Sequence, residues 1–181
     1  QLNPSSFFSR FAREANTQTN QYLYLYAMGR LAEKSYREAA LQLDFDIKQD
    51  NQRAAKLLND DTRRYAYRIL GVQRMNHNTD DGFNVEAVDW FRNSLDDDFS
   101  FEEAEYYAMA AIRFSRWDDV VEAISKMDAE TQKTNQWQYW LARAYEQSSD
   151  ANKRNTAKKM YQNLAKSNEY YGLMAKDKVG Q

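Results

Sequence analysis

The stretch SFEEAEYYAMAAIRFSRWDDVVEAISKM, residues 100–127, decides the fold. Ser100 with Glu103 three residues later is a capping box, in which each side chain satisfies an orphan backbone amide at a helix start. The helix that it opens carries apolar residues at helical spacing, and Trp117 begins a second helix of the same kind. Two helices joined by a short polar turn are therefore predicted here.

The same periodicity continues on both sides of this stretch. Downstream it predicts helices over 137–145 and 157–165 and a last short helix with Tyr170 and Tyr171. Upstream, Asp50 and either Asp60 or Asp61 are predicted to cap two further helices. Pro4 is the only proline and the chain has only five glycines. Because tight turns favour these two residues, a β-sheet fold with many such turns is not expected.

A loose internal repeat supports helix pairs. When the chain is shifted along itself, small residues of one helix fall over bulkier ones of a later helix: Ala104 and Ala108 fall over Trp137 and Leu141, while Ala111 falls over Ala144. Because a single pair cannot bury its apolar face, such pairs stack. We predict an all-α fold of stacked antiparallel helix pairs forming an α-superhelix, as one domain over 1–181 with N-terminal pairs in 1–82 and C-terminal pairs in 83–181. A globular helix bundle is the alternative.

Composition excludes several classes of function. The formal net charge is −2, which gives no electrostatic footprint for nucleic acid. There are no cysteines, and no apolar run approaches the roughly 18 residues of a membrane helix. We expect no cofactor and no metal site, because His77 is the only histidine and the Asp44–Asp46 pair lacks the remaining ligands of a calcium loop.

No catalytic residue is predicted. The short acidic runs, such as Asp118 with Asp119, sit where helices should begin, where carboxylates favour the positive end of the helix dipole. The chain has no nucleophile-elbow pattern, phosphate-binding loop or dinucleotide fingerprint.

Two groups of side chains are candidates for ligand binding. Arg64 and Arg68 lie four residues apart on one helix face and could meet ligand carboxylates, although salt bridges within the protein are the alternative. The aromatic residues Trp137, Tyr139 and Trp140 could line a glycan surface, as could the tyrosines at 170 and 171. The alternative is that these rings fill the space between stacked helices.

Three motifs in order resemble the helical region of soluble lytic murein transglycosylases. They are W-x-Y-W-x-A-R at 137–143, A-x-x-x-Y-x-x-L-A at 157–165 and Y-Y-G at 170–172. The resemblance covers residues 106–180, whereas the first hundred residues match only in style. It implies a periplasmic enzyme of Gram-negative bacteria that cleaves peptidoglycan strands without water and leaves a 1,6-anhydro end.

The resemblance also implies that the chemistry belongs to a separate, C-terminal lysozyme-like domain. That domain's general acid is a Glu followed directly by Ser, with a Gly-Leu-Met-Gln run downstream. None of the 11 glutamates here precedes a serine, and Gly172-Leu173-Met174 is followed by Ala175. We therefore expect a non-catalytic scaffold portion whose partners are peptidoglycan glycan strands and that catalytic domain.

Two other classes of function stay open. The repeat period is close to the roughly 34 residues of a tetratricopeptide repeat, which would make the chain a protein–protein scaffold. The proline that usually ends each such repeat is missing. A stand-alone enzyme is the third class, for which the sequence offers no catalytic group.

Overall fold

The computed structural model describes residues 37–52, 54, 56, 58–76, 85–96 and 99–180. His77 and the helix pairs predicted before residue 37 lie outside these ranges. In the described residues every regular element is a helix. The helices are α1 (Arg37–Asn51), α2 (Asp60–Asn76), α3 (Val85–Asn93), α4 (Phe101–Arg113), α5 (Trp117–Ser125), α6 (Ala129–Gln132), α7 (Asn135–Glu146), α8 (Ala151–Leu164) and α9 (Tyr170–Val179).

The chain divides into two compact units. The first comprises Gln1–Gly82 and Asp89–Asp96, and the second comprises Phe83–Val88 and Asp97–Gln181. The division falls within helix α3.

In the second unit, successive helices pack against one another. Helix α4 contacts α5, α5 contacts α7, α7 contacts α8, and α9 contacts both α8 and α7. Helices α7 and α8 are antiparallel, since Tyr139 lies beside Tyr161 while Tyr145, further along α7, lies beside Lys153 near the start of α8. The core between them consists largely of alanines, which let the helices approach, and tyrosines, whose rings fill the remaining space.

The helix starts repeat at regular intervals. Helix α4 begins at Phe101 and α7 at Asn135, and the same interval separates the start of α5 at Trp117 from that of α8 at Ala151. The interval from α7 to the start of α9 at Tyr170 is longer by a single position. A repeat of roughly 34 residues is that of stacked helix pairs, and it agrees with the repeat in the sequence.

Helix α4 begins and ends with complete capping motifs. The Ser100 hydroxyl accepts a hydrogen bond from the Glu103 amide, and the Glu103 carboxylate accepts one from the Ser100 amide at 2.8 Å. The predicted capping box is therefore confirmed. At the other end, Ser115 has a φ of 54°, the left-handed conformation that glycine usually supplies there. The Arg116 amide donates back to the Ala111 carbonyl at 2.9 Å, which turns the chain sharply into α5.

A buried polar bond ties α4 to α5. The Tyr107 hydroxyl donates to the Asp119 carboxylate at 2.6 Å, and both residues are buried. The Asp118–Asp119 pair lies in the first turn of α5, as its sequence position predicts. Asp119 therefore has a structural role, because it supplies the acceptor that a buried phenol requires.

The first unit corrects one predicted helix start. Asp50 does not cap a new helix. It lies in the last turn of α1, and its buried carboxylate accepts a hydrogen bond from the Leu58 amide at 3.0 Å. The Arg63 guanidinium donates to the Leu58 carbonyl at 2.8 Å. The described residues at 54, 56 and 58 are not helical, and at Leu58 these two side chains take the hydrogen bonds that a helix would have made internally.

The cap of helix α2 is Asn59, so the prediction that Asp60 or Asp61 caps this helix is wrong. The Asn59 side chain accepts a hydrogen bond from the Thr62 amide at 2.8 Å and so occupies the capping position. The predicted caps Asp60 and Asp61 lie in the first turn, where the helix dipole favours their charge.

Candidate functional site

Five aromatic rings gather on the last three helices of the second unit. We call them the terminal aromatic cluster, and they are Tyr139, Trp140, Tyr161, Tyr170 and Tyr171. Tyr139 is at the centre, with its ring centroid 5.5 Å from Trp140, 5.9 Å from Tyr161 and 5.6 Å from Tyr171. Tyr170 stands edge-on to Tyr171 at 5.1 Å and is 67% exposed. The cluster thus runs from the core to the surface along a chain of ring contacts.

Charged groups surround the inner edge of this cluster. The Glu146 carboxylate accepts from the Arg143 guanidinium at 3.0 Å, the Lys178 ammonium at 3.1 Å and the Tyr161 hydroxyl at 3.1 Å. The Arg143 guanidinium in turn lies 5.7 Å from the centroid of the Trp117 ring. Glu146 therefore joins α7, α8 and α9 through one carboxylate, and Arg143 extends the contact to α5.

The environment of Tyr161 predicts a loss of stability at alkaline pH. Burial, and then the adjacent Glu146 charge, raise its pKa well above the usual 10.0. The folded state keeps a proton that the unfolded chain releases near pH 10, so the stabilisation is complete below about pH 10 and is lost as pH rises further.

The measurement is urea unfolding at about pH 8 and about pH 11. We expect the unfolding midpoint to fall less between the two conditions in Tyr161→Phe than in the wild type. An equal fall in both proteins would place the alkaline sensitivity at other tyrosines, such as Tyr67 of the first unit, whose pKa burial raises to about 12.

The aromatic candidates from the sequence lie mainly in the core. Trp137 is 2% exposed and Tyr139 is 4% exposed, while Trp140 is half-buried against the cluster. Their rings fill the space between helices, which is the alternative interpretation of the sequence. A direct glycan-binding role for these three residues stays a prediction.

Arg64 and Arg68 have partners within the first unit. The Arg64 guanidinium forms an ion pair with Asp61 one turn earlier on α2. The Arg68 guanidinium donates to the Asp96 carboxylate at 2.5 Å and to the Ser94 carbonyl at 3.3 Å. Both side chains make the internal salt bridges that were the alternative to ligand binding, and a ligand carboxylate would have to compete with Asp61 and Asp96.

Sequence reasoning overlooked the outer face of α8. This face carries amide and lysine side chains, and all of them are exposed. The signal was present in the sequence, because residues 151–168 contain five basic residues and no acidic one. We call the exposed side chains along this face the outer stripe of α8, and they are Asn152, Asn155, Lys159, Gln162, Asn163 and Lys166.

Neither a metal-binding group nor a membrane span is found in the part of the chain that the structure describes. No three His, Asp or Glu side chains there are placed to hold a metal ion. No helix in the same ranges has both the length and the apolar character needed to cross a bilayer.

Comparison with known proteins gives a fold-level likeness. No protein-family model and no curated protein sequence matches the chain. Among solved structures it is similar to an inactive mutant of the lytic transglycosylase Slt from Pseudomonas aeruginosa, with 19% sequence identity and a TM-score of 0.64. The match covers 98% of this chain but only 27% of the other, so the chain spans about a quarter of that protein's length.

At this level of identity the likeness concerns the fold. The match extends over nearly the whole chain, whereas about four residues in five differ. Together with the helix pairs described above, the likeness confirms the predicted fold class, an all-α arrangement of stacked helix pairs similar to part of a lytic transglycosylase.

Proposed function

We propose that this chain is the non-catalytic superhelical scaffold of a periplasmic lytic murein transglycosylase. In this role it holds peptidoglycan strands close to a lysozyme-like catalytic domain on the C-terminal side. The observation that carries the proposal is the fold likeness to Slt over 98% of the chain. The three motifs at 137–143, 157–165 and 170–172 point independently to the same family.

The side chains of the motifs have structural roles that suit a scaffold. Tyr139, Ala142 and Tyr161 are buried where α7 meets α8, and Gly172 lets α9 approach the turn before it. Arg143 forms the ion pair with Glu146 at 3.0 Å. A rigid helical frame needs such residues for packing, so the motifs are consistent with a framework role.

Three acidic side chains hold helices in place. Asp119 accepts the Tyr107 hydroxyl, Asp96 pairs with Arg68, and Asp128 caps α6 through the amides of residues 130 and 131. Hydrogen bonds from the Thr131 backbone and side chain lower the pKa of Asp128, so it stays ionised, as a cap requires. These three carboxylates have structural roles, and we assign the glycan-cleaving chemistry to the proposed lysozyme-like domain.

A tetratricopeptide-like protein scaffold is the second candidate. The interval between the starts of α4 and α7, which recurs between α5 and α8, favours it because it matches the roughly 34 residues of that repeat. In that case the ligand would be a peptide or protein, and binding would not require peptidoglycan.

The test uses the 181-residue chain and purified murein sacculi. We would sediment the sacculi, measure the bound protein, and analyse the supernatant for 1,6-anhydro muropeptides. We expect saturable binding without release of anhydro products. Release of these products would contradict the scaffold assignment, because it would require an active site in this chain. Absence of binding would contradict the strand-holding role and favour the protein scaffold.

A further inference from the structure

A run of positive charge lies on helix α8 and just after it. Residues 151–168 carry Lys153, Arg154, Lys158, Lys159 and Lys166 with no acidic residue, while the rest of the chain has 20 basic residues against 27 acidic ones. A local excess of five positive charges in an otherwise acidic chain attracts anionic groups to this helix. Two of the five are held by contacts with residues outside the outer stripe, and the Lys166 ammonium donates to the Asn163 side chain within the stripe at 3.4 Å. Arg154 donates to the carbonyls of Ser148 and Ser149, and the Lys153 ammonium lies 5.8 Å from the centroid of the Tyr145 ring.

The remaining basic side chains belong to or border the outer stripe of α8. The members within α8 are mostly spaced by three or four residues, so they lie along one side of the helix, and Lys166 follows two residues after its end. The opposite side of α8, with Ala157, Tyr161 and Leu164, is buried in the core. At 1.5 Å per residue the stripe extends for roughly 20 Å. It is therefore an extended polar track that suits a linear polymer better than a compact ligand.

The amide and ammonium groups of the stripe match two kinds of ligand group. An asparagine or glutamine side chain offers one carbonyl acceptor and an NH₂ donor, which can pair with both groups of an acetamido substituent. A lysine ammonium adds a positive charge for a carboxylate. In the described residues, no hydrogen bond or ion pair engages the side chains of Asn155, Lys159 or Gln162. The stripe thus matches a polymer that alternates acetamido sugars with carboxylate-bearing branches.

We infer that the outer stripe of α8 binds the peptidoglycan strand itself, with amides on the N-acetyl groups and Lys159 and Lys166 on the carboxylates of the peptide branches. This inference rests on the proposed function and adds a location to it. An anionic membrane is the less suitable partner, because the stripe has no apolar side chain to insert and the apolar face of α8 is already buried. Nucleic acid is less suitable because an otherwise acidic chain repels its phosphates.

The test measures binding of a soluble disaccharide–tetrapeptide from peptidoglycan to the full chain by calorimetry. The variant Lys159→Gln with Lys166→Gln removes both charges of the stripe and keeps exposed polar side chains there. We expect its dissociation constant to rise by about fivefold or more, since exposed charge contacts contribute modestly each. Asn155→Ala with Gln162→Ala should also weaken binding, and its effect should persist at high salt, unlike that of the lysine variant.

The matched control is Lys133→Gln. Lys133 is exposed and outside α8, and it pairs with Glu130 at 2.8 Å. The control should bind the fragment like the wild type, and circular dichroism melting should show that all variants remain folded. A fragment with amidated carboxylates should bind wild type more weakly, to about the level of the lysine variant.

The experiments distinguish failure of the stripe assignment from failure of the proposed function. If wild-type protein sediments with sacculi but the stripe variants bind as tightly as wild type, the stripe assignment is overturned and the proposed function stands. If wild type does not sediment with sacculi, the proposed function fails as well. Binding of anionic phospholipid vesicles that is lost in the lysine variant, without binding of the fragment, would assign the stripe to a membrane surface and overturn the inference.

Discussion

Replacing Trp137 with alanine lowers the free energy of unfolding of the second unit by about 3–5 kcal/mol, the usual cost of truncating a buried tryptophan. The ring is 2% exposed in the first turn of α7, so its removal leaves a cavity that the surrounding helices fill only in part. Urea unfolding followed by far-ultraviolet circular dichroism measures the change.

The control for this variant is Tyr170→Ala. Tyr170 is also an aromatic residue of the motifs, but it is 67% exposed, so its truncation should change the free energy of unfolding by no more than about 0.5 kcal/mol. If Trp137→Ala instead keeps wild-type stability and loses binding to sacculi, the ring faces the ligand and the packing described here is wrong.

Substituting alanine for Gly172 destabilises the second unit by about 1–3 kcal/mol, as overpacked sites do. A Cβ at this position would collide with the Ser167 carbonyl oxygen and lie 2.8 Å from the carbonyl carbon. These are backbone atoms of the turn between α8 and α9, so they cannot move aside as a flexible side chain could. Helix α9 would have to shift away from α8.

The sign of the change in unfolding free energy separates a steric collision at residue 172 from the intrinsic helix preference of alanine. In an unobstructed helix, glycine to alanine stabilises by up to about 1 kcal/mol. Thermal and urea unfolding of Gly172→Ala should therefore show the opposite of the intrinsic preference, while Leu173→Ala, at a half-exposed neighbouring position, serves as the control on the same helix. A more stable Gly172→Ala protein would contradict the close approach of α9 to the preceding turn.

The local signals of the sequence predicted most helices of the second unit, but not α6 or the first part of α8, which begins at Ala151 and not at residue 157. The capping box at Ser100 and Glu103 involves only side chains and amides within one turn, so sequence alone determines it. The left-handed Ser115 could not be predicted in the same way. A serine at this position has no local preference for a positive φ, and packing of α5 against α4 holds it there.

Contacts between residues distant in sequence explain the features that local patterns did not predict. Aspartate is a residue type that favours helix caps, but the Asp50 carboxylate accepts a hydrogen bond from the Leu58 amide eight residues away. A local sequence pattern does not predict that contact. The aromatic candidates were ambiguous for a similar reason, because an aromatic residue on a helix can face the core or the solvent. Trp137 and Tyr139 have the residue type of a sugar-binding surface, and only the packing of α7 against its neighbours shows that they are buried.

The spacing of apolar and charged residues along α8 indicates which side of the helix is exposed, which residue type alone does not. Apolar residues at 157, 160, 161 and 164 mark the buried side of the helix, so the side opposite could have been located from sequence. What the structure adds is the exposure of the outer stripe and the internal contacts of Arg154 and Lys153, which separate structural charges from those open to a ligand.

Nuclear magnetic resonance offers the most direct measurement of whether this chain holds peptidoglycan strands on its surface. The 21.4 kDa protein would be titrated with the disaccharide–tetrapeptide while backbone amide and Asn/Gln side-chain signals are followed. We predict progressive shifts along the outer stripe of α8, at Asn155, Lys159 and Gln162 above all, with little change at buried Tyr139. Shifts confined to another surface would contradict the stripe assignment, and no shift at high fragment concentration would contradict strand holding itself.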